Sequence, residues 1–182
     1  EKLDVIVYRE NTEDIYLGIE WKQGSAIGDR LIQLLNTDLI PATPEHGKKQ
    51  IPLDSGIGIK HISKTGSQRL VRRAIKHALR LPKAKQMVTL VHKGNIMKYT
   101  EVAFRDWGYE LASSEFRNQC ILERESWVLS NKQANPDISI EDNARKIEPG
   151  YDSLTPEKKA VICEEVKAIL EAIWDSHGSG QW

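Results

Sequence analysis

The chain has 182 residues, 26 Lys and Arg against 26 Asp and Glu, and 40% apolar residues. Balanced charge supplies no field to recruit nucleic acid or an anionic membrane, and no apolar run approaches the ~20 residues of a membrane-spanning helix. Cys120 and Cys163 lie far apart without a CxxC partner, so they read as reduced thiols of a cytoplasmic protein, with no disulfide or zinc site expected.

No signal peptide is visible ahead of the first elements. The chain opens on Glu1 and stops at Trp182, after the run His177-Gly-Ser-Gly, which suggests a fragment of a longer protein. Residues 4–8 are β-branched and aromatic, as in a short buried strand. The stretch Ile15–Trp21 favours extended structure. Ser25 predicts a helix through about Asn36, with Ile27, Leu31, Leu34 and Leu35 on one side. Pro41, Pro44 and Gly47 mark a loop, and residues 54–62 read as a second extended segment weakened by glycines.

The apolar stripe of Leu70, Val71, Ala74, Ile75, Ala78 and Leu79 predicts a helix that Pro82 ends, with a basic, solvated opposite face. Met87–His92 reads as a strand, Lys93-Gly94-Asn95 as a turn, and Thr100 as the cap of a helix reaching Phe116. Residues 118–149 look polar and irregular. Thr155-Pro156 then opens a strong helix with Ile162, Val166, Ile169, Leu170 and Ile173 along one side, stopped near Gly178. Strand, turn and helix in this order predict a layered α/β domain.

Two stretches could carry chemistry. Tyr8–Tyr16, YRENTEDIY, presents a cation shaped for bidentate carboxylate binding, Arg9, and a phenol, Tyr16, that can exchange a proton. The plainer alternative pairs Arg9 with Glu10 or Glu13 and leaves Tyr16 as a half-buried sheet residue. In Thr89–Lys98 a strand ends on Lys93, Gly94 and Asn95, where α/β proteins commonly place ligands; a solvated turn is the plainer alternative. His46 and His61 lack metal-ligand spacing, and Gly56-x-Gly58 is no phosphate loop.

RENTEDIYLGIEW (Arg9–Trp21), SGIGIK (Ser55–Lys60), LVRRAI (Leu70–Ile75) and TLVHKGNIMKYTEVAFRDWGYELA (Thr89–Ala112) together resemble the NADP-dependent isocitrate dehydrogenases of bacteria. The resemblance implies the isocitrate/isopropylmalate dehydrogenase-like α/β fold. In that fold residues 1–13 begin the small domain, 14–64 form a clasp that joins a homodimer, and 65–117 complete the small α/β domain. Residues 118–182 resemble the insertion of the longer cyanobacterial form.

The resemblance also implies that Arg9, Tyr16, Lys93 and Asn95 contact isocitrate, with Asn95 also near the nicotinamide of NADP. Tyr16 and Lys93 form the acid–base group, and Lys93 reaches the site of the other subunit. The substrate serine loop is expected before Glu1. The aspartates for Mg²⁺ or Mn²⁺ and the NADP loop are expected after Trp182, so no metal ligand is assigned here and the isolated chain is expected to be inactive. Val102 stands where the family usually has glycine, and a local packing change is expected there. The alternative is a non-catalytic dimerisation or partner-binding module, with the Ile162–Ile173 stripe as its docking face.

Overall fold

A computed structural model describes residues 4–174. The chain divides into two units, Glu1–Gly108 and Tyr109–Trp182.

In the first unit, the Ser25 hydroxyl accepts from the Gly28 N–H (3.2 Å) and opens helix α1, Ala26–Leu34, which runs on as a π turn over Leu35–Leu39. This cap satisfies one of the free N–H groups at a helix start. The buried side of α1 is Gly28 and Ile32, with Ile27 and Leu34 facing outward, so the expected stripe is rotated. Asn36 holds the returning chain, donating to the Ile51 carbonyl (2.8 Å) and accepting from the Ile51 N–H (2.9 Å).

Strands β1, Glu20–Trp21, and β2, Ile57–Gly58, pair antiparallel with Glu20 opposite Gly58 and Trp21 opposite Ile57. The pairing continues as single hydrogen bonds from Ile59 N–H to the Ile19 carbonyl and from Asp14 N–H to the His61 carbonyl. The expected extended run Ile15–Trp21 is corrected at its start, where Asp14–Leu17 is a 3₁₀ turn. Ser63 caps helix α2, Lys64–Ala78, through the Gly66 N–H (2.9 Å), and Ser67, Val71 and Ile75 form its buried face. Helix α2 stops four residues before Pro82, the position expected to end it.

Two strand expectations fail. Residues 4–8 and 87–92 join no ladder among the described residues, and Val5 and Val91 are 64% and 84% exposed. Their composition favours extended backbone, but a strand exists only through a neighbour's hydrogen bonds. Thr100 is likewise not a cap. The backbone starts to coil at Lys98, in a π turn over Lys98–Val102, before helix α3, Ala103–Glu115, so Thr100 lies inside the coil. Helix α3 runs across the boundary between the units.

The second unit corrects residues 118–149, which form helices α4, Glu123–Ala134, and α5, Ile140–Ile147. Both helices are largely polar in sequence, yet Val128, Ala144 and Ile147 are buried with Tyr151, Ile162 and Val166 in one core. The Glu125 carboxylate accepts from the Leu122 N–H (2.7 Å) to start α4, and Ser139 caps α5 through the Asp142 N–H (3.0 Å). Helix α6, Pro156–Ile169, begins at Thr155 with proline in its first turn, as expected. Its Ile162 and Val166 pack inside their own unit, which removes the basis for using them to dock another protein. The expected stop at Gly178 lies outside the described residues.

Arg124 ties the three helices together through Glu165 (2.7 Å) and Glu148 (2.8 Å). Fully buried Asn143 is satisfied by the Val128 carbonyl (3.0 Å) and the Asn131 amide (2.9 Å). A buried amide without such partners would destabilise the unit.

Candidate active site

The carboxylates of YRENTEDIY are used locally. Glu10 accepts from the Thr12 N–H (2.6 Å) and hydroxyl (2.5 Å) and reaches Arg69 at 3.4 Å. Burial works to raise the Glu10 pKa, but these hydrogen bonds outweigh it and hold the carboxyl below its ordinary value. Glu13 accepts from the Ser63 N–H (3.0 Å) and the Ser63 hydroxyl at the start of α2, where the helix dipole favours a negative charge. Tyr8 joins His77 near the end of α2 (2.5 Å).

Neither Glu10 nor Glu13 therefore pairs with Arg9. The Arg9 guanidinium instead lies over the Tyr16 ring, 4.2 Å from its centroid, in a cation–π contact. A guanidinium placed over a ring still carries its N–H donors, which can serve a carboxylate. Tyr16 is 47% exposed beside it.

Tyr16 is aimed by an unusual backbone. Asp14 has φ +59, the left-handed region that residues other than glycine seldom adopt. It is held there by its N–H to the His61 carbonyl (3.0 Å), by its carboxylate accepting from the Ile15 N–H (2.7 Å), and by Lys60 (2.7 Å). The turn it starts closes at Gly18, also left-handed, whose N–H donates to the Ile15 carbonyl.

Lys60 also donates to Glu101 (2.7 Å), whose second oxygen accepts from the Lys93 N–H (3.0 Å). Burial lowers the Lys60 pKa, and its hydrogen bonds to Asp14 and Glu101 more than offset that and raise it. Glu101 is held below its ordinary value by Lys60 first and by the Lys93 N–H second.

The expected turn after residue 92 forms, with the Ile96 and Met97 N–H groups both directed at the Lys93 carbonyl and Lys98 donating to the Gly94 carbonyl (2.8 Å). Gly94 is buried, and a Cβ on it would meet the His92 ring at 2.6 and 2.7 Å and Val102 Cγ2 at 2.9 Å. Val102 thus packs against the turn that carries Lys93 and Asn95. Gly94→Ala in the full-length protein is expected to lower stability by about 1–3 kcal/mol, the usual range for overpacking. Adding Val102→Gly should return part of that loss. Denaturation midpoints of the two variants measure both effects, and a Gly94→Ala protein as stable as the parent would contradict the crowding.

No hydrogen bond, ion pair or ring contact joins Arg9 or Tyr16 to Lys93 or Asn95 among the described residues. Among the described residues a run of hydrogen bonds links the two stretches, from Asp14 through Lys60 and Glu101 to the Lys93 N–H. Lys60 and Glu101 lie within the SGIGIK and TLVHKGNIMKYTEVAFRDWGYELA motifs, where sequence alone assigns neither a role. No local signal marks them as partners, because Asp14 and Glu101 lie 46 and 41 residues from Lys60. Among the described residues no group of three His, Cys, Asp or Glu side chains converges as metal ligands, and no helix is long and apolar enough to cross a membrane.

A profile of the family described as isocitrate/isopropylmalate dehydrogenase matches residues 1–143. "Isocitrate dehydrogenase [NADP]" from Nostoc sp. (strain PCC 7120 / SAG 25.82 / UTEX 2576) is 80% identical over all 182 residues, which cover 38% of that protein. The protein of the same name from Synechocystis sp. (strain ATCC 27184 / PCC 6803 / Kazusa) is 71% identical over the whole chain, again 38% of its length. The one from Helicobacter pylori (strain J99 / ATCC 700824) is 48% identical over 143 residues, 78% of this chain and 32% of that protein. The chain thus spans well under half the length of these curated relatives.

Proposed function

The chain belongs to the isocitrate/isopropylmalate dehydrogenase family, and from that premise we propose that it is part of an NADP-dependent isocitrate dehydrogenase. The enzyme oxidatively decarboxylates isocitrate to 2-oxoglutarate in the cytoplasm as a homodimer joined through residues 14–64. The observation that carries this reading is Arg9, whose carboxylate neighbours are engaged elsewhere and which lies against the Tyr16 ring. A guanidinium with no carboxylate partner among the described residues, beside a phenol, suits an anionic substrate that must also exchange a proton.

In this proposal Arg9 clamps a substrate carboxylate and takes no part in proton transfer. Asn95, able to donate and accept, orients substrate or the nicotinamide end of NADP. Bound NADP and Mg²⁺ or Mn²⁺ supply a hydride acceptor and a Lewis acid. After carbon dioxide leaves, the Tyr16 phenol delivers a proton to the enolate carbon, with the Lys93 ammonium of the other subunit beside it to stabilise the phenolate. Residues 118–182 contribute an appendage to this enzyme and no chemistry; the separate core of the second unit supports that reading.

The full-length protein should reduce NADP when given isocitrate with Mg²⁺ or Mn²⁺, and the 182-residue chain alone should not. The absorbance of NADPH reads both. A full-length protein inactive on isocitrate would refute the substrate, and turnover by the chain alone would refute the assignment of the metal and cofactor residues elsewhere.

A further inference from the structure

Lys60 has no role in the reaction as proposed above, yet its ammonium holds both stretches that the reaction needs. Asp14 and Glu101 each lie 2.7 Å from its Nζ, although they are 46 and 41 residues away in sequence. Lys60 and the two carboxylates are only part-exposed, with Glu101 the most enclosed at 15% side-chain exposure.

A left-handed backbone at a residue such as Asp14 costs of the order of 1 kcal/mol or more and persists when its surroundings over-determine it. Two of the three bonds that hold Asp14 are local to the turn and to the β2 side of the pair. The third is Lys60, and it is the one that also leads to Glu101 and the Lys93 N–H. The bridge therefore runs from the backbone that aims Tyr16 to the backbone that presents Lys93.

We propose that Lys60 is a positioning residue that fixes the Tyr16 turn and the Lys93 turn relative to one another through Asp14 and Glu101. The inference rests on the roles given to Tyr16 and Lys93 above. It adds a consequence for a dimer whose sites each take Tyr16 from one subunit and Lys93 from the other. One bridge then serves both sites, because it sets the Tyr16 of one and the Lys93 of the other.

The test uses the full-length enzyme. Lys60→Met should lower kcat for isocitrate about 10- to 100-fold, the scale expected when reacting groups are misplaced by about 1 Å. KM should change less than kcat does. Lys60→Arg, which keeps the charge and donors, should recover most of the rate. A purified mixed dimer with one Lys60→Met subunit should fall well below half the parental rate, because both sites lose alignment.

Should Lys60→Met fail to fold, Glu101→Gln leaves the Lys60–Asp14 pair in place and should still lower kcat more than it changes KM. A kcat within about twofold of the parent for these variants, or a rise in KM at constant kcat, overturns the proposal. A mixed dimer at half the parental rate overturns the claim that one bridge serves two sites. An inactive parental enzyme would instead refute the proposed function, so the two failures are told apart.

Discussion

Tyr16→Phe and Lys93→Met homodimers of the full-length protein are each expected to lose at least about 100-fold in isocitrate turnover, the lower end of what positioned acid–base groups contribute. A phenol and an ammonium have ordinary pKa values of roughly 10 and 10.4, so neither exchanges protons well near neutrality by itself. Placed together, the ammonium stabilises the phenolate left after proton delivery, and the removal of either member should cost most of the benefit of both. Among the described residues no hydrogen bond or ring contact joins Tyr16 to Lys93, and the prediction takes Lys93 from the other subunit. Co-expression of the two variants would give mixed dimers with one doubly defective site and one intact site. Those dimers should recover up to half the parental rate. Mixed dimers as inactive as the parents would mean that Lys93 serves its own subunit.

Arg117→Ala should destabilise the second unit by about 3 kcal/mol, the lower end for breaking an enclosed ion pair from one side. Arg117 grips Glu125 with two parallel hydrogen bonds (2.8 and 2.7 Å), and Glu125 is only 8% exposed. Without the guanidinium the carboxylate stays enclosed with only the Leu122 N–H to balance it. The lower end applies because Arg117 itself reaches solvent and water can take part of its place. Arg117→Met with Glu125→Leu removes both charges and should recover most of the loss, leaving about 1 kcal/mol for the missing helix cap. Urea midpoints measure the series. Turnover of the folded variants should stay within about threefold of the parent, as expected if the second unit carries no chemistry. A double variant no more stable than Arg117→Ala would show that charge burial is not the cause.

The starts of α1, α2 and α6 lie next to Ser25, Ser63 and Thr155, whose hydroxyls accept from an N–H three residues on. A cap spans a few residues, so it is legible in sequence, and Ser25 and Thr155 were read correctly. Ser63 carries the same signal, but the stripe that announced α2 began only at Leu70. The two extended segments flanking α1 and the turn at Lys93–Asn95 were legible for the same local reason, but not the pairing of those segments. The family followed from four motifs lying between Arg9 and Ala112. Charge balance and the absence of a long apolar run also belong to sequence alone.

Tertiary structure decided the rest. Val5–Tyr8 and Met87–His92 carry strand composition, yet a strand is a relation between two segments, and no partner is present among the described residues. Helices α4 and α5 were not legible because α4 carries no sharp apolar stripe and α5 is only eight residues long, with Ala144 and Ile147 as its buried apolar positions. Arg9 could have paired with Glu10 or Glu13; Thr12, Arg69 and Ser63 took those carboxylates first. The Asp14–Lys60–Glu101 bridge joins residues more than 40 positions apart, and no local pattern records a contact made only when β1, β2 and the Lys93 turn fold against one another.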